Sequence, residues 1–351
     1  PEKEIEAQVK SWRSSLLDKP ETPETLDGPA SRLGRLLLEP AAAALKTRRR
    51  VIVVPDGSLT YAPFAAMRLE EKPLVESHTL LQLPSSSTLA LIRNQSAQRP
   101  AAPRGLAMVA DPIFSGDDPR ITTSARMSQA EPADLASFAL QRASRALPRQ
   151  RSAINGASDS LPRLPGTRRE AERILPLFPG NQTLLALDSQ ASLALLQSPS
   201  MKDYRYVHLA THGVFNTAEP ALSGVILSLV DQQGRAVNGF LRLNEIFNLN
   251  LPAELVVLSA CETGLGEQIR GEGMVGLTRG FLYAGSRRLL VSLWKVDDDA
   301  TAALMSRFYE GLLREKLTPA QALRAAQNHL RTNTNWDSPY FWSGFVLQGE
   351  W

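Results

Sequence analysis

Short runs of consecutive apolar residues alternate along this chain with longer segments of helical period. Val51-Ile52-Val53-Val54, Thr79–Leu83 and Gly105–Ala110 read as buried strands. Residues 183–187, 205–210, 224–229, 254–259, 288–293 and 344–347 read the same way. Between them the spacing predicts helices over 168–178, 191–197, 243–247, 273–284, 299–314 and 319–331. Thr167 is the expected cap of the first of these, with Glu170 three residues on. This alternation predicts an α/β fold built on a mostly parallel sheet with helices on both faces.

Two segments depart from that rhythm. Over residues 1–49, Ile5, Val9, Trp12 and Leu16 fall at helical spacing, and Leu33, Leu36–Leu38 and Leu45 predict a second helix interrupted near Pro40. We expect an N-terminal helical extension over 1–49 and one α/β domain over 50–351. Residues 113–165 are rich in Ser, Arg, Pro and Asp, with a weak helical patch near 135–147. A stretch this long without elements reads as a mobile insertion.

Composition narrows the classes. The chain has 351 residues, 43% of them apolar and 21% charged, which suits a globular protein with a sizeable core. A net charge of only +3 argues against nucleic-acid binding. A single cysteine forms no internal disulfide. No run of about 18 apolar residues predicts a membrane span, and the charged N-terminus lacks the apolar centre of a signal peptide. The expected setting is the cytoplasm. The first residue is Pro1 rather than Met, which reads as a fragment or a processed chain.

The lone cysteine carries the chemistry. Cys261 follows the apolar run Leu255–Ser259, and Gly264 and Gly266 end the segment. Ligands of open α/β sheets bind outside the carboxyl ends of the strands. A second run, Tyr206-Val-His-Leu-Ala, ends in Thr211-His212-Gly213. If the two runs are parallel neighbours, His212 and Cys261 share one sheet edge. His212 lies about 50 residues upstream of Cys261, the separation seen in caspases. A thiol attacks as its thiolate, and a nearby imidazole takes the proton and later protonates the leaving amine. The N–H groups of Gly213 and Cys261 are candidate oxyanion donors. The bland alternative is an inert buried thiol.

Other chemistries fit less well. Gly264-Leu-Gly266 and Gly271-Glu-Gly273 follow a strand and precede a helix but lack the G-x-G-x-x-G order of a nucleotide loop. His208 shares a strand face with His212, yet no third zinc ligand is apparent, so a core role is expected. Ser259 falls inside the strand by alternation rather than at its tip.

Several ordered motifs resemble those of CHAT domains, the caspase-like and separase-like cysteine peptidases often joined to tetratricopeptide repeats. They are Thr211-His212-Gly213, Ser259-Ala-Cys-Glu-Thr-Gly264, Gly271-Glu-Gly273, Ser292-Leu-Trp-Lys-Val-Asp-Asp298 and Tyr340-Phe-Trp-Ser-Gly-Phe345. Ile52–Gly57 and Leu164-Pro-Gly-Thr167 resemble earlier landmarks of the family. The resemblance runs over about residues 30–350. It implies a caspase–haemoglobinase-like fold, a His212–Cys261 dyad, oxyanion donors at Gly213 and Cys261, no cofactor, and a protein or peptide substrate. It also implies an upstream helical-repeat sensor or regulatory protein, and no repeat array is visible here. By the same resemblance, Asp111, Ser259, Trp294, Asp297 and Asp298 map to the pocket for the residue before the cut, and an acid pointing into it would select a basic residue. Alternatively, Asp298 caps the helix from Asp299 and Asp111 makes a turn with Pro112. Two other functional classes stay open: a catalytically silent caspase-like scaffold, and a nucleotide-binding signalling module.

Overall fold

A computed structural model of the chain describes residues 2–18, 28–96, 99–121, 161–214, 220–259, 261–263 and 272–351. Fourteen strands lie among these residues. They are β1 (Arg50–Val53), β2 (Arg68–Leu69), β3 (Lys72–Pro73), β4 (Thr79–Gln82), β5 (Arg104–Pro112), β6 (Thr183–Asp188) and β7 (Tyr204–Ala210). Then follow β8 (His212–Val214), β9 (Gly224–Ile226), β10 (Phe240–Arg242), β11 (Leu255–Leu258), β12 (Cys261–Thr263), β13 (Arg288–Ser292) and β14 (Phe345–Gly349).

Eight of them form the main sheet, in the order β1-β4-β14-β13-β11-β7-β5-β6. Among the described residues only β13–β14 is antiparallel; the other neighbouring pairs run parallel. The fold is therefore the α/β, mostly parallel one expected. All four residues of β11 are buried, as are all of β7 except Arg205. Strands apolar on both sides need cover on both faces. The cover comes from helices. Pro165–Ile174 packs on Asp298–Leu313, which packs on Pro319–Asn333; separately, Leu243–Phe247 packs on Glu272–Tyr283.

The N-terminal helix Glu2–Asp18 is joined to this core. Its Val9, Trp12 and Leu16 belong to the same apolar cluster as Leu293 and Trp294. Arg13, also buried, donates from Nη2 to the Leu293 carbonyl at 2.7 Å.

Three local expectations change. The run 224–229 is a strand only to Ile226. Beyond it the amides of Leu227, Ser228 and Leu229 donate to Gly239, Ala191 and Ile113, so the backbone leaves the ladder. That short strand belongs to a second sheet, ordered β10-β9-β8-β12. Thr167 does not cap its helix. The helix starts at Pro165, whose fixed φ suits a first turn. Thr167 Oγ1 instead donates to the Leu164 carbonyl and accepts from the Asp111 amide. The helix expected from Asp299 begins at Asp298, with Asp297 as its cap. Of the expected insertion, residues 122–160 lie outside the described residues, as do Gly264, Gly266 and Gly271.

Candidate active site

β7 and β11 are parallel neighbours, with Leu258 opposite Leu209. Shortly beyond their ends the chain enters the second sheet, where β8 and β12 also pair in parallel. That register sets Cys261 opposite His212 and Glu262 opposite Gly213. The two residues lie on adjacent strands at one sheet edge. β9 flanks β8 on the other side, with Val225 opposite Gly213. Gly213 already makes an interaction of its own within the structure.

The imidazole of His212 is 2% exposed and is held from two sides. The ring of Phe114 lies against it, centroid to centroid 4.9 Å. Phe114 belongs to the small apolar cluster beneath the second sheet, with Leu164, Val214, Ile226, Leu229 and Phe240. Nε2 lies 2.8 Å from the carbonyl oxygen of Pro162. A carbonyl only accepts, so the ring proton sits on Nε2 and Nδ1 carries the free lone pair. Nδ1 is buried and has no hydrogen-bond partner among the described residues. Burial lowers the pKa of His212, the Pro162 bond raises it in part, and Lys295 lowers it further. The ring is thus a neutral base at neutral pH, with its basic nitrogen unoccupied.

Pro162 is positioned by its neighbour. Arg163 donates from Nε and Nη2 to Oδ1 and Oδ2 of Asp111, at 3.1 and 2.8 Å. Asp111 also receives Arg168 Nε at 2.9 Å and lies 3.1 Å from Arg120 Nη1. Asp188 bridges the same Arg120 and Arg168 at 2.6 Å each. Asp111, the last residue but one of β5, has φ 45° and lies at a register shift against β6. A bulge of this kind re-aims a side chain, and the carboxylate here points into the arginine cluster. Asp111 is fully buried and satisfied by three guanidinium groups of its own chain. Where the resemblance implies a substrate contact and the sequence alone a turn with Pro112, the structure places Asp111 as the anchor of the segment that holds His212.

A narrow cleft lies between the helix Pro165–Ile174 and the ends of β11 and β13. It is lined by Ser259, Trp294 and Asp298, three of the expected residues, together with Gly166 and Glu170. Trp294 is fixed by an Nε1 bond to the Tyr340 carbonyl at 3.0 Å. Asp298 lies over Gly166, where a Cβ would come within 2.1 Å of its Oδ2. Asp297 is not in the pocket lining. Its Oδ1 accepts from the amides of Asp299 and Ala300 at 3.0 Å each. Helix capping thus engages one oxygen of that carboxylate.

His208 is fully buried, as a core role requires. Its Nδ1 lies 3.2 Å from Tyr309 Oη and its Nε2 3.1 Å from Glu170 Oε1. Among the described residues no group of three or more His, Cys, Asp or Glu could hold a metal ion. No described helix is long and apolar enough to cross a membrane.

Sequence reasoning missed Glu170 and Pro162. A signal for Glu170 existed: Thr167, Glu170, Ala171 and Ile174 form the buried stripe of one helix, and a carboxylate on that stripe demands a partner. Pro162 acts through its backbone carbonyl, which carries no side-chain signature.

Among known proteins, the chain is similar to Tetratricopeptide repeat protein 28 of Homo sapiens and of Mus musculus, each 34% identical over 105 residues. That match covers 30% of this chain and 4% of the relative's length. Two structures of the Saccharomyces cerevisiae separase–securin complex align over 85% of this chain and 15% of theirs. Their identity is 13%, with TM-scores of 0.45 and 0.43. The CHAT domain family model matches residues 27–350. The match takes in both edge strands of the main sheet, the strands of His212 and Cys261 and the pocket, and the chain belongs to the CHAT domain family.

Proposed function

We propose that this chain is a cysteine endopeptidase that cuts a partner protein through His212 and Cys261. The observation that carries the reading is the register that sets these two residues opposite each other on β8 and β12. His212 Nδ1 takes the thiol proton, and the thiolate attacks a peptide carbonyl carbon. The oxyanion is met by the N–H groups of Cys261 and Gly213. The imidazolium then protonates the leaving amine as the C–N bond breaks, leaving a thioester that water hydrolyses. Proton bookkeeping closes within the dyad, so no cofactor is required.

The reading extends to specificity and setting. The pocket of Ser259, Trp294 and Asp298 takes the residue before the cut, which is basic. The partner chain is a protein or peptide, and the enzyme works in the cytoplasm under an upstream helical-repeat sensor. Support for the sensor is the similarity to a protein named for tetratricopeptide repeats.

The test is labelling with a thiol-reactive peptide inhibitor that carries arginine next to the warhead. Wild type is expected to be captured stoichiometrically at Cys261 and His212→Ala at least about 100-fold more slowly. Equal labelling of both proteins, with no cleavage across a fluorogenic peptide panel, would favour the scaffold reading instead.

A further inference from the structure

β1 is an outer strand of the main sheet, and β4 is its one sheet neighbour among the described residues. The Arg49 carbonyl accepts from the Thr79 amide, and the Val53 carbonyl accepts from the Leu83 amide. In a parallel ladder of this register the bonding residues alternate, so Arg49, Val51 and Val53 face β4. The N–H and C=O groups of Arg50, Ile52 and Val54 therefore point away from the sheet. Pro55, which has no N–H, falls in the inner set and removes no donor from the outer row.

The side chains follow the same alternation. Val51 and Val53 pack against the core, whereas Ile52 and Val54 are 40% and 50% exposed. The edge thus offers hydrogen bonds and apolar contact in one row. Its N-terminal end carries Arg48, Arg49 and Arg50, all exposed. Among the described residues none of them joins an ion pair. The Arg50 guanidinium is held over the Trp351 ring, 5.4 Å from its centroid.

An open edge with unpaired backbone groups is a template for an added strand. Charge decides which strand. A second copy, paired antiparallel about Ile52, would bring two arginine runs into one short interface. Asp56 is the one acid between Thr47 and Gly57 to offset each run, and its Oδ1 already accepts from the Gly57 amide at 2.8 Å. An acidic strand meets the same run favourably, since opposite charges across a strand pair attract and like charges repel. The arginines therefore deter a like strand and select an acidic one.

We propose that the outer edge of β1 docks an extended segment of a partner protein as an antiparallel added strand. Its apolar residues lie opposite Val54 and Ile52, and its acidic residues lie opposite Arg50, Arg49 and Arg48. The edge is four strands from β11 in the sheet order, and the proposal does not depend on the peptidase reading.

The probe is the fluorescent peptide Val-Thr-Ile-Thr-Glu-Glu-Glu, whose residues fall in turn opposite Val54 through Arg48. Anisotropy with the full chain at low ionic strength is expected to show saturable binding. The twin ending in Lys-Lys-Lys should bind at least about tenfold more weakly. Arg48→Glu, Arg49→Glu and Arg50→Glu together should reverse that preference. Ile52→Pro keeps the ladder to β4, because the N–H it removes is an outer one. It should cost the acidic peptide at least about tenfold in affinity. N-methylation of the peptide's Ile, whose amide faces β1, should do the same to the unaltered protein, so this arm decides even if Ile52→Pro fails to fold. No saturable binding at about 1 mM peptide would overturn the proposal. Binding that ignores both N-methylation and Ile52→Pro would reduce the edge to a charged patch and overturn it too. A dimer in sedimentation that Ile52→Pro abolishes and that excludes the peptide would make a second copy the occupant instead.

Discussion

His212 donates its Nε2–H to the carbonyl oxygen of Pro162 at 2.8 Å. This bond fixes which nitrogen is basic, and it ties the base to a chain segment outside both sheets. The next residue, Arg163, is itself clamped on buried Asp111. Placement of the imidazole therefore runs from an ion cluster at the end of β5, through one peptide unit, to the second sheet.

The depressed pKa of His212 has a consequence for stability. An unfolded histidine protonates near 6.5, whereas the native ring, kept neutral mainly by burial, protonates only at lower pH. Just below 6.5 the unfolded chain binds more protons, so stability falls as pH drops through that window and levels off below the native pKa. Urea unfolding at about pH 7.5 and about pH 5.5 should show a larger loss for wild type than for His212→Gln. By the same shift, the acid limb of Cys261 alkylation should have its midpoint below 6.5. A midpoint at or above that value would contradict the buried, neutral base.

Asp111→Asn removes one charge from a cluster in which three arginines converge. Breaking such a buried arrangement by deleting one partner costs about 3–5 kcal/mol. The expected result is a large drop in denaturation midpoint. Arg163→Gln should behave differently, since this side chain is 41% exposed. It should unfold at nearly the wild-type denaturant concentration yet slow alkylation of Cys261, because Pro162 loses its anchor.

Gly166→Ala places a methyl where the Asp298 carboxylate now lies, 2.1 Å from Oδ2. The methyl would also lie 2.6 Å from Asp298 Cβ, so the start of the Asp298–Leu313 helix must shift along with the carboxylate. Stability should fall by about 1–3 kcal/mol, read as a lower denaturation midpoint together with a weaker affinity for arginine peptides.

Trp12→Ala tests whether the N-terminal helix belongs to the domain. Trp12 is fully buried in the shared core. Truncating a buried tryptophan costs about 3–5 kcal/mol, and the whole chain should unfold at correspondingly lower denaturant in one transition. A separate early transition that leaves the sheet intact would mark the helix as an appendage.

Much of the fold was legible because the main-sheet strands are near-continuous apolar runs. Leu255–Leu258 and Tyr206–Ala210 need only be parallel neighbours for Cys261 and His212 to meet, and they are. The second sheet was not legible. Its strands are three residues each, too short for a period to register. The separate roles of the acids were not legible for a related reason. Asp111, Asp297 and Asp298 carry the same charge in the sequence. Only tertiary partners distinguish an anchor among arginines from a helix cap and from a pocket wall. Glu170 was taken for part of a capping box because the helix start was placed three residues late.

The ladder between β8 and β12 pairs three residues with three. The strand repeat is two residues, so a slip of one position would leave Gly213, not His212, across from Cys261. Alignment of the reactive pair thus comes in whole steps. Forces acting on either flank of β12 can switch it, but cannot dial it by degrees.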